Sequence, residues 1–177
     1  MILRGLFLLA RGKTAGMAEF SPSMDAFTAS LAPLIAFPLV GALVSATGGQ
    51  WEFALVGFLS RLCSVLVLPV MVYEFARHTE REALWLRAAT ALNWSFWMML
   101  PVLFIAAFLG AILVEAGLAM QEAEYAVLAV AGAYLLWYRW FIVSAGLGLG
   151  RWQAAGFVGV SSVAIAVFTA VPVWLVK

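Results

Sequence analysis

Two residue types that carry much of protein chemistry are almost missing from this 177-residue chain: it has one cysteine, Cys63, and one histidine, His78. One cysteine excludes a disulfide within the chain and any metal cluster held by several cysteines. One histidine excludes a haem or metal site built from two imidazoles of the same copy. The sequence also has no HExxH or CxxC motif and no set of serine, histidine and acid at a plausible spacing. We therefore expect no enzyme activity, no cofactor and no metal site.

Charged residues are scarce as well. Only 11% of the residues are charged and 66% are hydrophobic, whereas soluble domains have about 25% charged and about 45–50% apolar residues. A soluble core of this size could not cover so much apolar surface, so the surrounding solvent must be largely lipid. The net charge of +1 does not indicate a surface for nucleic acid. Because helices satisfy their own backbone in lipid, the composition predicts an all-α membrane protein.

Five stretches are long and apolar enough to cross ~30 Å of hydrocarbon, which takes about 20 residues of helix. They cover about 26–46, 52–75, 88–114, 124–149 and 153–175. No connection between them is long enough to separate domains, so we predict one integral membrane domain over 1–177, folded as a polytopic bundle of five transmembrane helices. Pro33, Pro38 and Pro101 lie inside these spans, and each predicts a kink.

The basic residues of the short connections alternate between the two sides of the membrane. The N-terminal segment and the second and fourth connections contain them, and the first and third do not. They are Arg4, Arg11, Lys13, Arg77, Arg81, Arg87 and Arg151. Because Lys and Arg are enriched in cytoplasmic loops, the N-terminus is predicted in the cytoplasm and the C-terminus outside. The Ala-rich, Gly-rich and Lys-poor composition indicates a GC-rich bacterium, and hence an inner (cytoplasmic) membrane with a periplasmic C-terminus.

Residues 1–20, MILRGLFLLARGKTAGMAEF, predict an amphipathic segment on the membrane surface. The apolar stretch between its first two arginines covers only residues 5–10, which is shorter than the ~7–15 residues of a signal-peptide core. The side chains expected in lipid are Leu3, Leu6, Phe7 and Met17. The side chains expected at anionic lipid headgroups are Arg4, Arg11 and Lys13. The alternative is a frayed basic tail.

An arginine, Arg139, interrupts the fourth span within the sequence WYRW. It lies about 22 Å from Glu124 and about 18 Å from Arg151 along a helix, so we expect it near the middle of the span. On a helical wheel it shares a stripe with glycines, and a second small-residue pair lies on a neighbouring face. These small residues are Gly132, Gly146 and Gly150, and then Ser144 with Gly148. Small residues let helices approach closely, so Arg139 is predicted to face a helix interface.

A second arginine, Arg61, lies inside the second span. Ala54, Gly57 and Ser64 lie on its side of the helix, so it too is predicted to face a packed interior. No carboxylate falls at the depth of Arg139, because the acids of the chain lie near or beyond the predicted membrane surfaces.

Three environments remain open for Arg139. Its guanidinium bonds to carbonyls exposed by a kink, or extends towards the cytoplasm beside Tyr138 and Trp140. Alternatively, its partner is an acid or carbonyl of another subunit, or a lipid phosphate. In the third case it belongs to a site for a transported anion or a proton-linked step.

The order of five spans, with a polar entry segment, a cytoplasmic N-terminus and an outside C-terminus, resembles that of the Yip1-like membrane proteins. The stretches similar to bacterial members are SPSMDAFTASLAPLIAFPLV, residues 21–40, and YAVLAVAGAYLLWYRWFIVSAGLGLGRWQAAG, residues 125–156. The resemblance implies a five-span helical fold. The DLxGPL and GYxxxP motifs of eukaryotic members do not occur in the sequence, so it implies no vesicle-trafficking role and transfers no site residue.

These features together predict a non-catalytic accessory or scaffold subunit of a larger membrane protein complex, which packs through small-residue helix faces and binds membrane lipid. Its partners would be other integral membrane subunits or copies of itself, and no nucleic acid. The predicted packing residues are Arg139, Gly132, Gly146, Gly150, Ser144, Gly148, Arg61 and Gly57. The alternative is a small oligomeric transporter or channel for an anion or a lipid, built around Arg139 and Arg61.

Overall fold

Seven α-helices joined by short turns form the part of the chain that the computed structural model describes, residues 2–49 and 51–175. The helices are α1 (Ile2–Ala10), α2 (Met24–Thr47), α3 (Trp51–His78), α4 (Trp85–Ser95), α5 (Met99–Glu115), α6 (Met120–Leu147) and α7 (Arg151–Leu175). Three 3₁₀ turns cover Thr14–Glu19, Glu82–Leu84 and Phe96–Met98. These residues contain no β-strand, so the predicted all-α fold is confirmed.

Five helical stretches are long and apolar enough to cross a membrane. Four of them are the single helices α2, α3, α6 and α7, and the third in order, Glu82–Glu115, combines α4 with α5. The chain is therefore a multi-pass membrane protein with the predicted number of spans.

The third span is interrupted directly before its proline. The 3₁₀ turn Phe96–Met98 separates α4 from α5, and Pro101 then lies in the first turn of α5. A proline is tolerated there because the first N–H groups of a helix have no intrahelical acceptor. By contrast, α2 continues as one α-helix through Pro33 and Pro38.

The fourth span ends two residues earlier than predicted, because Gly148 turns the backbone into the left-handed region with φ of 61°. The N–H of Leu149 then donates to the Ser144 carbonyl over 3.1 Å, which completes a Schellman motif. Gly148 and Gly150 therefore lie outside α6. The helical stripe predicted to join Arg139 to Gly150 does not extend that far.

The main hydrophobic core lies at one end of the bundle, which we call the basic end because it holds Arg77, Arg81, Arg87 and Arg151. Its side chains come from the N-terminal segment, the end of α3, α4, the end of α6 and the start of α7. At the centre is α4, in which six consecutive residues, 88–93, are buried. By contrast, α5 packs against α6 and buries only Ala106 among its described residues. Asn93 ties α4 to α2, because its Nδ2 donates to Ser30 Oγ over 2.9 Å.

The N-terminal segment is part of this core, which corrects one part of its predicted placement. Leu6 and Met17 were expected in lipid, but they are 2% and 7% exposed and pack inside the protein. Leu3 and Phe7 are exposed, as expected. The α1 helix and the Thr14–Glu19 turn pack so closely that a Cβ on Gly16 would lie 2.7 Å from a backbone oxygen of α1. An apolar face can be buried against protein as readily as in lipid, so the sequence pattern alone could not decide between the two.

Glu80, which ends α3, is the only residue other than glycine with a positive φ (56°) in the described chain. A side chain in this region costs about 1–2 kcal/mol, and glycine relieves that strain at some cost in chain entropy. Glu80→Gly is therefore expected to raise the free energy of unfolding by about 0.5–1 kcal/mol. Unfolding by SDS in mixed micelles, followed by circular dichroism, measures the difference.

The matched control for this prediction is Glu82→Gly, two residues further along the same connection. Glu82 has no positive φ, so glycine there adds only flexibility and is expected to lower stability. A Glu80→Gly variant that unfolds no later than the parent would contradict the prediction.

Candidate intramembrane site

A cavity of about 450 Å³ lies between α6 and α7 and is open on one side. Its one lining residue from α6 is Arg139. The residues that α7 contributes are Ser162, Ile165, Ala166, Thr169 and Ala170. Spacings of three, four and eight residues place these side chains on one face of α7. We call this cavity the Arg139 cleft.

Arg139 lies closer to one end of its helix than the sequence predicted. It precedes the end of α6 at Leu147 by about 12 Å and follows the start at Met120 by about 28 Å. Arg139 thus lies off the centre of α6, because the helix starts earlier and ends earlier than the apolar run indicated. Helical side chains lean towards the N-terminus of their helix, so the Arg139 side chain leans away from the α6–α7 turn and into the span.

The guanidinium of Arg139 has no partner within the described chain. It makes no ion pair, hydrogen bond or cation–π contact there, although the residue is half-buried. Beside it, the Oγ of Ser162 is buried and also has no hydrogen-bond partner. The hydroxyl of Thr169 donates to the carbonyl of Ile165 over 2.8 Å and keeps lone pairs free. Two neighbouring groups that can donate hydrogen bonds are thus left without acceptors.

The cleft wall on α7 is made of small residues that the sequence analysis did not single out. Ser162, Ala166 and Ala170 follow each other at intervals of four, so they form a small-xxx-small stripe. The same spacing in the sequence SVAIAVFTA would have revealed it. Its relation to Arg139 is tertiary, because only the packing of α6 on α7 brings the stripe and the charge together.

The glycines predicted around Arg139 have separate roles. Gly146 is buried within the chain, where an added Cβ would lie 2.9 Å from Ala88 Cβ and 3.0 Å from Met17 Cε. Gly132, in contrast, has open space where a Cβ would be. Ser144 donates from Oγ to the Leu149 carbonyl over 3.1 Å, and the Gly150 N–H donates to Gln153 Oε1 over 3.2 Å. These two residues shape the α6–α7 turn.

Arg61 lies outside the Arg139 cleft. Its residue is exposed, and its Nη1 lies against α2, 3.2 Å from the position that a Cβ on Gly41 would take. The prediction that Arg61 faces a packed interior was wrong. The face of α3 with Ser60 packs against α7, since Ser60 Oγ donates to the Phe168 carbonyl, and the next residue points about 100° away from it. Gly57 has open space around it.

Comparison of the chain with protein-family models, with curated proteins and with solved structures finds no match. The chemistry of the site therefore rests on its geometry. Within the residues that the structure describes, no group of three or more His, Cys, Asp or Glu side chains could hold a metal ion. What the cleft offers is a site for a hydrogen-bond acceptor: a permanent cation and a serine hydroxyl, both able to donate, beside a wall of small residues.

Proposed function

We propose that the protein is a non-catalytic accessory subunit of a larger membrane protein complex and that a transmembrane helix of another subunit docks in the Arg139 cleft. The observation that carries the proposal is the unpaired guanidinium of Arg139 inside a span, beside the unpaired hydroxyl of Ser162. Membrane lipids cover the remaining apolar surface.

The energetics favour a charged partner. An arginine inside the hydrocarbon costs about 2.5–3.5 kcal/mol on insertion scales. A carboxylate offsets this cost best, because it can accept two parallel hydrogen bonds from a guanidinium. Arg139 opens onto residues of α7 that lie about 17–28 Å from the start of that helix. An aspartate or glutamate within a partner span is already at that depth.

A second copy of this chain would not supply the carboxylate. Its acidic residues lie in connections, in the 3₁₀ turn Thr14–Glu19 or within five residues of a helix end, whereas the cleft wall lies about 17–28 Å from the start of α7. The side chains of the stripe Ser162–Ala166–Ala170 are small, so the backbone of another helix can approach closely, as it does at small-residue stripes in membrane proteins. The partner is therefore a different subunit with an acidic residue in one span.

The transporter alternative has less support. It requires Arg139 and Arg61 to act along one path, yet Arg61 lies against α2 and does not line the Arg139 cleft. Among the described residues, the cleft also has a single charged side chain, whereas a conduction path needs several polar groups in a line.

Extraction into native nanodiscs followed by mass spectrometry tests the proposal. The wild-type chain is expected to leave the membrane with one integral partner at fixed stoichiometry, and Arg139→Ala to lower the recovered partner about tenfold, equivalent to about 1.4 kcal/mol. Arg139→Lys should restore only part of it, because an ammonium lacks the two-pronged geometry. Arg139→Glu combined with an Asp→Arg or Glu→Arg change in the partner span should restore assembly.

Two controls identify the surface. Arg61→Ala removes an intramembrane charge outside the cleft and should leave assembly unchanged. A photo-crosslinking residue at Ala166 should capture the partner, whereas one at Val160, about 120° away on α7 and 61% exposed, should not. Recovery of the chain only as a free monomer, or equal loss of partner in the Arg61 and Arg139 variants, would overturn the proposal.

A further inference from the structure

The N-terminal hairpin, which consists of α1, the turn at residues 11–13 and the 3₁₀ turn Thr14–Glu19, is held against α6 by two tyrosines. Tyr134 donates from its hydroxyl to the Ala10 carbonyl over 2.9 Å, and Tyr138 donates to the Leu6 carbonyl over 3.2 Å. Ala10 is the last residue of α1, so its carbonyl has no intrahelical donor. The hairpin is thus a docked part of the bundle.

The attachment points define the height of the hairpin relative to the membrane. Tyr138 and Tyr134 precede the end of α6 by about 13 Å and about 20 Å. The whole of α6, 28 residues, is about 42 Å long, whereas hydrocarbon is ~30 Å thick. The surplus is therefore ~12 Å. Tyr138 therefore lies about as far from the end of α6 as this whole surplus, and Tyr134 lies deeper. With the surplus at the basic end, the hairpin packs against the spans close to the edge of the hydrocarbon.

The two faces of α1 meet different surroundings. Leu6 and Leu9 are buried in the core, while Leu3 is 79% and Phe7 is 58% exposed. A helix face that looked into water would be mainly polar. Here the outer face carries these large apolar side chains together with arginines, a combination typical of segments that lie in a lipid interface.

The charges of the hairpin divide into a paired and an unpaired set. Arg4 forms an ion pair with Glu19 at 3.5 Å between Nε and Oε1. The Arg11 guanidinium lies 5.3 Å from the centre of the Phe7 ring, so the two exposed side chains lie side by side on the surface of the hairpin. Arg11 and Lys13 are exposed, and neither has an acidic partner among the described residues. Two free positive charges therefore flank the turn at Gly12.

We propose that Arg11 and Lys13 bind the phosphate groups of anionic phospholipids, while Leu3 and Phe7 insert among the acyl chains. The structure narrows the sequence prediction, because Arg4 already has a partner in Glu19. The turn itself contributes side chains only: its N–H groups are used to end α1, with Gly12 donating to Leu9 over 2.9 Å and Lys13 to Leu8 over 2.9 Å. The inference does not depend on the docking of a partner subunit in the Arg139 cleft.

Native mass spectrometry of the full chain in detergent, with equimolar phosphatidylglycerol and phosphatidylcholine of the same acyl composition, tests this inference. The wild-type chain is expected to retain phosphatidylglycerol preferentially. Arg11→Gln with Lys13→Gln should lower that preference about tenfold or more, since each surface charge accounts for about a fivefold change in affinity for an anionic membrane. Arg11→Lys should keep most of it, because the charge is retained.

The control pair is Arg77→Gln with Arg151→Gln, two exposed bases at the same end of the bundle but outside the hairpin. It should lower the preference for phosphatidylglycerol clearly less than the Arg11/Lys13 change does, because these two bases lie outside the hairpin that carries Leu3 and Phe7. Size-exclusion chromatography confirms that each variant is folded, which is expected because all four side chains are exposed. An unchanged preference in the Arg11/Lys13 variant, or an equal loss in the control pair, would overturn the inference.

Discussion

Replacing Gly146 with valine is expected to lower the free energy of unfolding by about 2–3 kcal/mol, the range for overpacked cores. A Cβ at this position would lie 2.9 Å from Ala88 Cβ and 3.3 Å from Ala88 Cα. Met17 Cε, 3.0 Å away, is the end of a flexible side chain and can move. Ala88 cannot move without α4, which is buried among α2, α3 and α6. The added volume must therefore separate α6 from α4.

The matched control is Gly132→Val in the same helix, where no atom outside the local backbone lies within 4 Å of an added Cβ. It is expected to change stability by no more than about 0.5 kcal/mol, as a surface substitution does. SDS-induced unfolding in mixed micelles, followed by circular dichroism, measures both variants. Equal effects of the two substitutions would show that Gly146 has no special packing role and would contradict the prediction.

The second large effect is expected for Arg81→Ala, with a loss of about 2 kcal/mol, typical of hydrogen bonds from a charged group. Nη1 of Arg81 donates to the Leu147 carbonyl over 2.7 Å and also to the Gly148 carbonyl. Leu147 is the last residue of α6 and Gly148 follows it, so no intrahelical N–H reaches either carbonyl. The positive charge also lies at the negative end of the helix dipole. One side chain thus joins the α3–α4 connection to the α6–α7 turn.

Arg77→Ala is the control for Arg81, because Arg77 belongs to the same helix end and is exposed. It is expected to change the unfolding free energy by less than about 0.5 kcal/mol. Arg81→Lys should recover part of the loss, since an ammonium can donate but lacks the fork of the guanidinium. Hydrogen exchange gives a second measurement: in Arg81→Ala the amides of residues 148–149 should exchange faster. Exchange that does not change would show that Arg81 does not hold the end of α6.

The backbone conformation of Glu80 explains how the Arg81 side chain reaches the carbonyls at the end of α6. The positive φ of Glu80 reverses the chain at the end of α3, and the Arg81 N–H donates back to the Ala76 carbonyl over 2.7 Å, as the Schellman motif requires. The turn at Glu80 thus places the Arg81 side chain beside the end of α6. Arg77 and Arg81 both belong to the charged sequence RHTERE, and nothing local in it distinguishes Arg81 from Arg77.

The number of spans and the all-α class followed from the sequence alone. Each span is a mainly apolar run of sufficient length, and in lipid such a run must be helical because its backbone has no other hydrogen-bond partner. The apolar runs do not determine where each helix begins and ends, because helices continue into polar connections until a turn stops them. Gly148 is such a stop, so the predicted stripe of small residues on the side of Arg139 ends before Gly150.

Which side of each element contacts protein and which contacts lipid was decided by the tertiary structure. Leu6 and Leu3 belong to one apolar pattern, yet one is buried and the other is exposed. Arg139 and Arg61 both lie within spans and beside small residues, but only Arg139 lines a cleft. The physical reason is common to these cases: lipid tails and a protein interior are equally apolar, so hydrophobicity determines that a segment enters the membrane, and only the shape of neighbouring helices determines what each of its faces touches.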